Sequence, residues 1–245
     1  MNSTVVLVPG AWHLPTCFDQ LRQELHALDI ESVAVANPSV ENCQPPKNLT
    51  HDVANLHAVL ARLADEGKTI TLVAHSYGGV VASGAAQGLG LAQRQAASQK
   101  GGIARVIYLG AFAVPAGVSV LQAVGGTAPP WWEYKDDQVV VSDLHASNPA
   151  HIFYNDVPVE IQNHWISQLQ PHTAASFQIP NTYEPWNDIP CTYVFTEQDN
   201  AIPLFAQKAM AGGMGDISTV SLDASHSPFL SMPKRVAEVI RDASQ

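Results

Sequence analysis

Two rhythms of hydrophobic residues alternate along the chain. Short, nearly unbroken apolar runs rich in β-branched residues occupy positions 4–8, 32–36, 69–74, 103–109, 191–195 and 218–222. Runs without polar alternation are what parallel strands covered on both faces require. The segments between them repeat at helical spacing. At 49–64, Val53, Leu56, Leu60 and Leu63 fall on one stripe, which predicts an amphipathic helix. A second helix is predicted after Pro203, a residue suited to a first helical turn, ending at Gly212 and Gly213. A last one begins near Pro233 and carries Val236, Val239 and Ile240. Strand and helix in repeated succession predict an α/β fold with a mostly parallel, six-stranded, doubly wound sheet.

Residues 112–186 break this rhythm with prolines, aromatics, histidines and short helical pieces such as 159–169. Lying between two core strands, they are expected to form a helical cap, or lid, inserted after the fourth strand of a single domain spanning 1–245. Insertions at the carboxyl ends of strands commonly build binding sites. The polar stretch 92–102 reads as an exposed connection.

Composition narrows the function classes. The 245 residues are 46% hydrophobic and 14% charged, enough for a sizeable core. The formal net charge of −10, with Lys and Arg scattered, leaves no footprint for nucleic acid or an anionic membrane. Cys17, Cys43 and Cys191 are odd in number and widely spaced, which argues against a disulfide framework or zinc site. The sequence moves from "MNST" almost directly into a strand and holds no long apolar run, so a cytoplasmic, reducing location is expected. A homodimer is compatible with the sequence.

The chemistry-bearing stretch is "TLVAHSYGGVV", 71–81. A buried strand, a tight turn with Ser76 at its tip and a helix rich in small residues form the pattern of a nucleophile elbow. Ala74 stands where the usual G-x-S-x-G pattern has its first glycine. The strain falls on Ser76, so position 74 needs smallness rather than a positive φ, and one methyl is permissible. A serine hydroxyl needs a base, and the base an orienting acid. After the strand at 191–195, "TEQDNAIP" offers Asp199; after that at 218–222, "DASHSPFL" offers His226. The order Ser, acid, His is that of this fold, and all three leave carboxyl ends of strands. Glu197 and Asp223 are rival acids, the first too near its strand end and the second too near His226 in sequence. The oxyanion hole needs two backbone amides. One is expected from Tyr77, and the other from Ala11, or alternatively Trp12, in "VPGAWH".

Together "LVPGAWH…FDQL", "LVAHSYGG", "FYNDVP", "FTEQDNAIP" and "SHSPFLSMP" resemble the α/β-hydrolase superfamily. Within it they resemble the small esterase branch of plant methyl esterases, hydroxynitrile lyases and their bacterial and fungal esterase-like relatives. The resemblance implies Ser76, Asp199 and His226 as triad, Ala11 and Tyr77 as oxyanion residues and 112–186 as cap. Where the branch usually has His-Gly, this chain has Pro9-Gly10. The threonine and lysine characteristic of hydroxynitrile lyases are replaced by Gly10 and Ser227, which favours an esterase.

The cap concentrates aromatic residues, and Trp131, Trp132, Phe153 and Trp165, with Trp12 and His13 of the first loop, are candidate pocket residues. Lys135 is the cap's one Lys or Arg, so a phosphorylated substrate lacks cationic recognition. The four cap histidines, His145, His151, His164 and His172, match no familiar metal spacing. The expectation is a serine esterase, free of cofactor and metal, cleaving a small, neutral, hydrophobic or aromatic carboxylic ester through an acyl-enzyme. Alternatives are a natural-product enzyme using the same triad for C–C cleavage, decarboxylation, lactone opening or cyclisation, and a non-catalytic ligand-binding protein.

Overall fold

The computed structural model describes residues 3–41, 44–142 and 148–244. Cys43, Asp143 and His145 lie outside them. The strands of the main sheet are β1 (Ser3–Val8), β2 (Glu31–Ala34), β3 (Thr69–His75), β4 (Gly102–Leu109), β8 (Cys191–Thr196) and β9 (Ser218–Leu222). They align all parallel in the order β2-β1-β3-β4-β8-β9. The central strands are the continuous apolar runs: β1 and β3 are buried at every residue after the first. The edge strands β2 and β9 are largely half-buried or exposed, as neighbours on one side only would leave them.

Helices α1 (Asp19–Ala27), α2 (Leu49–Asp65), α3 (Gly78–Ala85) and α8 (Leu204–Gly212) lie between successive strands, and α10 (Pro233–Ala243) follows β9. The predicted stripe of α2 buries Leu56, Leu60 and Leu63, with Val53 half-buried beside them. Its start is set by Asn48, whose side-chain oxygen accepts from the amide of Thr50 at 3.1 Å. One residue of the buried face, Asp52, is a carboxylate. All eight residues of α3 are buried, so its small side chains let it lie against the sheet. A Cβ at Gly78 would stand 2.6 Å from the carbonyl oxygen of Val8, which is why the turn into α3 needs glycine there.

From β1 the chain goes to one side to form β2 and then returns to the other side to form β3. That reversal places the carboxyl ends of β1 and β3 side by side, with Val8 paired to Ala74. Crevices at such a switch point are where open α/β sheets hold ligands.

Two expectations require correction. Residues 92–102 are not merely a connection, because Leu91–Ala96 form a helix, α4. Its Arg94 is 7% exposed, donating to the carbonyls of Lys100 and Gly101 and to Asp65 at 2.7 Å. A charged residue supplies the buried side of this turn, so no apolar period marks it. The cap, in turn, is not purely helical. Beside short helices α5 (Val120–Ala123), α6 (Pro149–Phe153) and α7 (Val159–Gln168), it holds β5 (Trp132–Lys135), β6 (Gln138–Val141) and β7 (His172–Thr173) in an antiparallel sheet. β5 and β6 meet at a two-residue hairpin, where Asp136 takes the left-handed φ of 54° that this turn demands. Cap residues such as Phe153 and Phe177 join the same buried cluster as the sheet. A short α9 (Pro228–Ser231) precedes the last helix.

Substituting Gly78→Ala should therefore destabilise the protein by about 1–3 kcal/mol, the usual cost of forcing atoms into a filled core. Urea unfolding would show this as a lowered midpoint at an unchanged slope; an unshifted midpoint would mean that α3 does not press on β1.

Candidate active site

Ser76 sits between β3 and α3 with φ 52°, a left-handed value that a non-glycine residue avoids without compensation. Its carbonyl accepts two amides, from Gly79 and Phe112, each at 3.0 Å. The turn is thus tied both to its own helix and to the start of the cap. Ala74 is fully buried at the expected small position.

Loops after β8 and β9 bring Asp199 and His226 together, Nδ1 of the imidazole lying 2.8 Å from Oδ2 of the carboxylate. Both side chains are at most 2% exposed. Oδ1 of Asp199 accepts from the amides of Ala201 and Ile202, and Oδ2 also accepts from the Thr196 hydroxyl at 2.8 Å and Gln207 Nε2 at 3.3 Å. Every lone-pair direction has a donor, so the carboxylate is fixed and the imidazole with it. Gln207 projects from α8 and also bonds the amide and carbonyl of Thr196; nothing in its sequence context distinguishes it from a surface glutamine. Glu197 and Asp223 are exposed, and Asp223 bonds Gln198 instead.

His75 completes this arrangement. Its Nε2 donates to the carbonyl of His226 at 2.7 Å, and the two rings lie 4.5 Å apart. The residue before Ser76 therefore holds the His226 loop beside the Ser76 turn. Burial, with His226 and His13 close by, holds its pKa well below the ordinary histidine value, so His75 is neutral.

The loop after β1 runs close past Ser76: a Cβ on Gly10 would lie 2.8 Å from the serine Cβ. Among the described residues, the amides of Ala11 and Tyr77 have no protein acceptor. Two free amides flanking a serine on a strained turn are what oxyanion stabilisation requires.

The sequence pattern of the alpha/beta hydrolase family matches residues 5–239. The chain belongs to this family. The alpha/beta hydrolase nvfD of Aspergillus novofumigatus is 31% identical over 245 residues, covering 100% of this chain and 97% of that one. A pyrethroid hydrolase from Sphingobium faniae has the same fold at a TM-score of 0.77 and 24% identity, covering 99% and 97% of the two chains. The methylesterase MES16 of Arabidopsis superposes at 0.73 with 21% identity over 98% of each. Family membership makes the chain a hydrolase and supports a carboxylic ester as the bond it cleaves.

In this family member the space above Ser76 is narrow and aromatic. A cavity of only about 10 Å³ is bounded by Ser76, Tyr77, Trp12, Trp131, Trp132 and Phe177. Through Phe112, Trp131 and Ile202 it adjoins a groove of about 720 Å³ that runs between the start of the cap and α8. Among the described residues no charged side chain lines the groove, and Phe205, 76% exposed, is part of its lining.

Of the candidate pocket residues, Trp12, Trp131 and Trp132 line the cavity at Ser76, whereas His13, Phe153 and Trp165 line neither cavity. His13 is buried with both nitrogens engaged, by the Ala11 carbonyl and the Tyr154 hydroxyl, each at 2.7 Å. Phe153 meets Trp131 edge-on, and Trp165 meets its neighbour His164 edge-on on α7. Sequence reasoning also missed a buried set beneath Tyr77, in which Asp52 accepts from Tyr77 Oη at 2.6 Å and from the amide and hydroxyl of Ser39. Burial outweighs those donors and raises the Asp52 pKa. His172, expected to belong to no metal site, bonds Ser39 Oγ through Nε2 at 2.7 Å. Burial pushes the Cys17 thiol well up and that of Cys191 to about 12, which suits packing rather than nucleophilic chemistry.

Burial also lowers the pKa of His13 to about 4 and of His172 to about 3. The unfolded chain, with histidines near 6.5, then binds more protons than the native one as the pH falls below that value. Stability from these groups is complete above pH 6.5 and is lost towards pH 4 and 3, at up to about 1.4 kcal/mol per pH unit for each histidine. Urea unfolding between pH 4 and pH 8 should show that slope, shallower in His13→Asn; a flat profile would contradict neutral buried histidines.

Proposed function

We propose that the protein is a serine esterase acting on a neutral, hydrophobic carboxylic ester through an acyl-enzyme. The observation that carries this reading is the coincidence, at one switch point, of strained Ser76, the His226–Asp199 pair and two unpaired amides. His226 accepts the Ser76 proton as Oγ attacks the ester carbonyl, and Asp199 holds the imidazole through Nδ1. The new C–O bond leaves a tetrahedral oxyanion facing the amides of Ala11 and Tyr77. Collapse breaks the bond to the alcohol, which leaves with the proton from His226. Water then gives up a proton to His226 and attacks the acyl-enzyme, releasing the acid and restoring the Ser76 hydroxyl.

The uncharged groove supports a neutral substrate. Its size also supports a larger ester than the small one the sequence suggested, since cavities of this volume hold drug-sized ligands. A hydrolase of pyrethroids and a methylesterase among the similar folds are consistent with ester substrates.

With p-nitrophenyl butyrate, Ser76→Ala should lower kcat by about 10⁴-fold or more, and Asp199→Asn by roughly 10⁴-fold. Turnover that survives in Ser76→Ala at the wild-type rate would sink the proposal.

A further inference from the structure

We infer that the cap is part of the oxyanion hole, with Tyr154 and His13 positioning the Ala11 side and Asp52 and His172 positioning the Tyr77 side. The inference rests on the esterase reading above. Hydrogen bonds tie the Ala11 segment to the cap directly, and the Tyr77 side chain to it through Asp52 and Ser39.

The loop at residues 10–13 cannot hold its shape alone, because Trp12 takes a left-handed φ of 63°. Its backbone carbonyl accepts the amide of Gln170 at 2.9 Å, and its indole Nε1 donates to the carbonyl of Val139 on β6 at 2.9 Å. His13 supplies the third tie. With Nδ1–H donating to the Ala11 carbonyl, Nε2 is an acceptor, and the Tyr154 hydroxyl is the donor that fits it. The tyrosine therefore fixes both the tautomer and the orientation of the ring, and the ring holds the Ala11 carbonyl, so that the Ala11 amide is fixed from the far side of its own Cα. Gln170, Val139 and Tyr154 all belong to the cap.

The second amide is held by an equivalent chain of contacts. Tyr77 puts its backbone amide at Ser76 and its hydroxyl on Asp52. Ser39 donates to both oxygens of Asp52, and its Oγ accepts from His172 Nε2–H. The Ser39 carbonyl accepts the amide of Thr173 at 3.0 Å, so β7 of the cap fixes Ser39 as well. The His172 ring meets the Tyr77 ring edge-on at 4.6 Å. Lifting the cap would break the contacts made by Val139, Tyr154, Gln170, His172 and Thr173, leaving His13 and Asp52 without their outer partners, whereas the groove beside α8 adjoins the site along a different set of residues.

An amide displaced from the oxyanion loses transition-state binding while ground-state binding persists. Tyr154→Phe and Tyr77→Phe remove one hydroxyl each and keep the ring. Each should lower kcat roughly 10-fold with KM within about twofold, the scale expected of a small misplacement of reacting groups. Affinity for a phenylalkyl trifluoromethyl ketone, which forms a tetrahedral adduct, should fall in parallel with kcat/KM. His13→Asn, which can still donate to the Ala11 carbonyl, should retain more activity than His13→Ala. Tyr108→Phe is the control, because it removes a buried hydroxyl bond, to Ser83 at 2.8 Å, that touches neither amide. It should match the others in lost thermal stability yet keep wild-type kcat. The inference is overturned, with the esterase reading intact, if Tyr154→Phe and Tyr77→Phe turn over like Tyr108→Phe, or if ketone affinity stays unchanged. Wild-type turnover that Ser76→Ala abolishes secures the esterase reading separately.

Discussion

Ser76 can occupy a left-handed backbone conformation only because two parallel strands end beside each other and a helix made of small residues starts directly behind them. The cost of such a conformation, roughly 1–3 kcal/mol, must be met by its surroundings. Here they consist of two amides on the Ser76 carbonyl, the close passage of Gly10 and the fit of Gly78 under Val8. Once that turn exists, the remaining features follow from position. The loops after β8 and β9 leave the same end of the sheet, so Asp199 and His226 meet there.

The polar groups around the turn are buried, and most of them find partners. Asp199 has donors on both oxygens, His75 gives its one N–H to the His226 carbonyl, and His13 divides its nitrogens between a loop and the cap. The Nδ1 atoms of His75 and His172 are left without a partner, but the bonds that are made still hold the network in place, because moving Asp199 or His13 would leave further buried groups unsatisfied. Rigidity suits a site whose proposed work is to face developing charge with dipoles already in place. The apolar groove, by contrast, has few directional contacts and suits substrates selected by shape.

How much of this could be read from the sequence depended on burial. Central strands covered on both faces leave unbroken apolar runs, so β1, β3, β4 and β8 were legible almost to the residue. The order of Ser76, Asp199 and His226 was legible because each follows such a run. The cap hairpin was not, since its strands are four residues long and β5 is exposed after Trp132. Helix α4 was hidden because Arg94 takes the inward place of an apolar residue. Asp52 was hidden for the opposite reason: a single carboxylate on an apolar stripe looks like a solvated position until Ser39 and Tyr77, distant in sequence, are seen around it. Aromatic density pointed to the cap but could not separate Trp131 and Trp132, which line the cavity at Ser76, from Phe153, which packs on Trp131, and Trp165, which meets His164 on α7.

The account rests on Ser76 being a nucleophile activated by His226. A fluorophosphonate reacts covalently with such a serine and spares unactivated ones. Intact-mass and peptide mass spectrometry of the treated protein should show one adduct, on the peptide carrying Ser76, absent from folded Ser76→Ala and much slowed in His226→Ala. No adduct on the folded wild-type protein, or an adduct on any other serine that persists in Ser76→Ala, would contradict it.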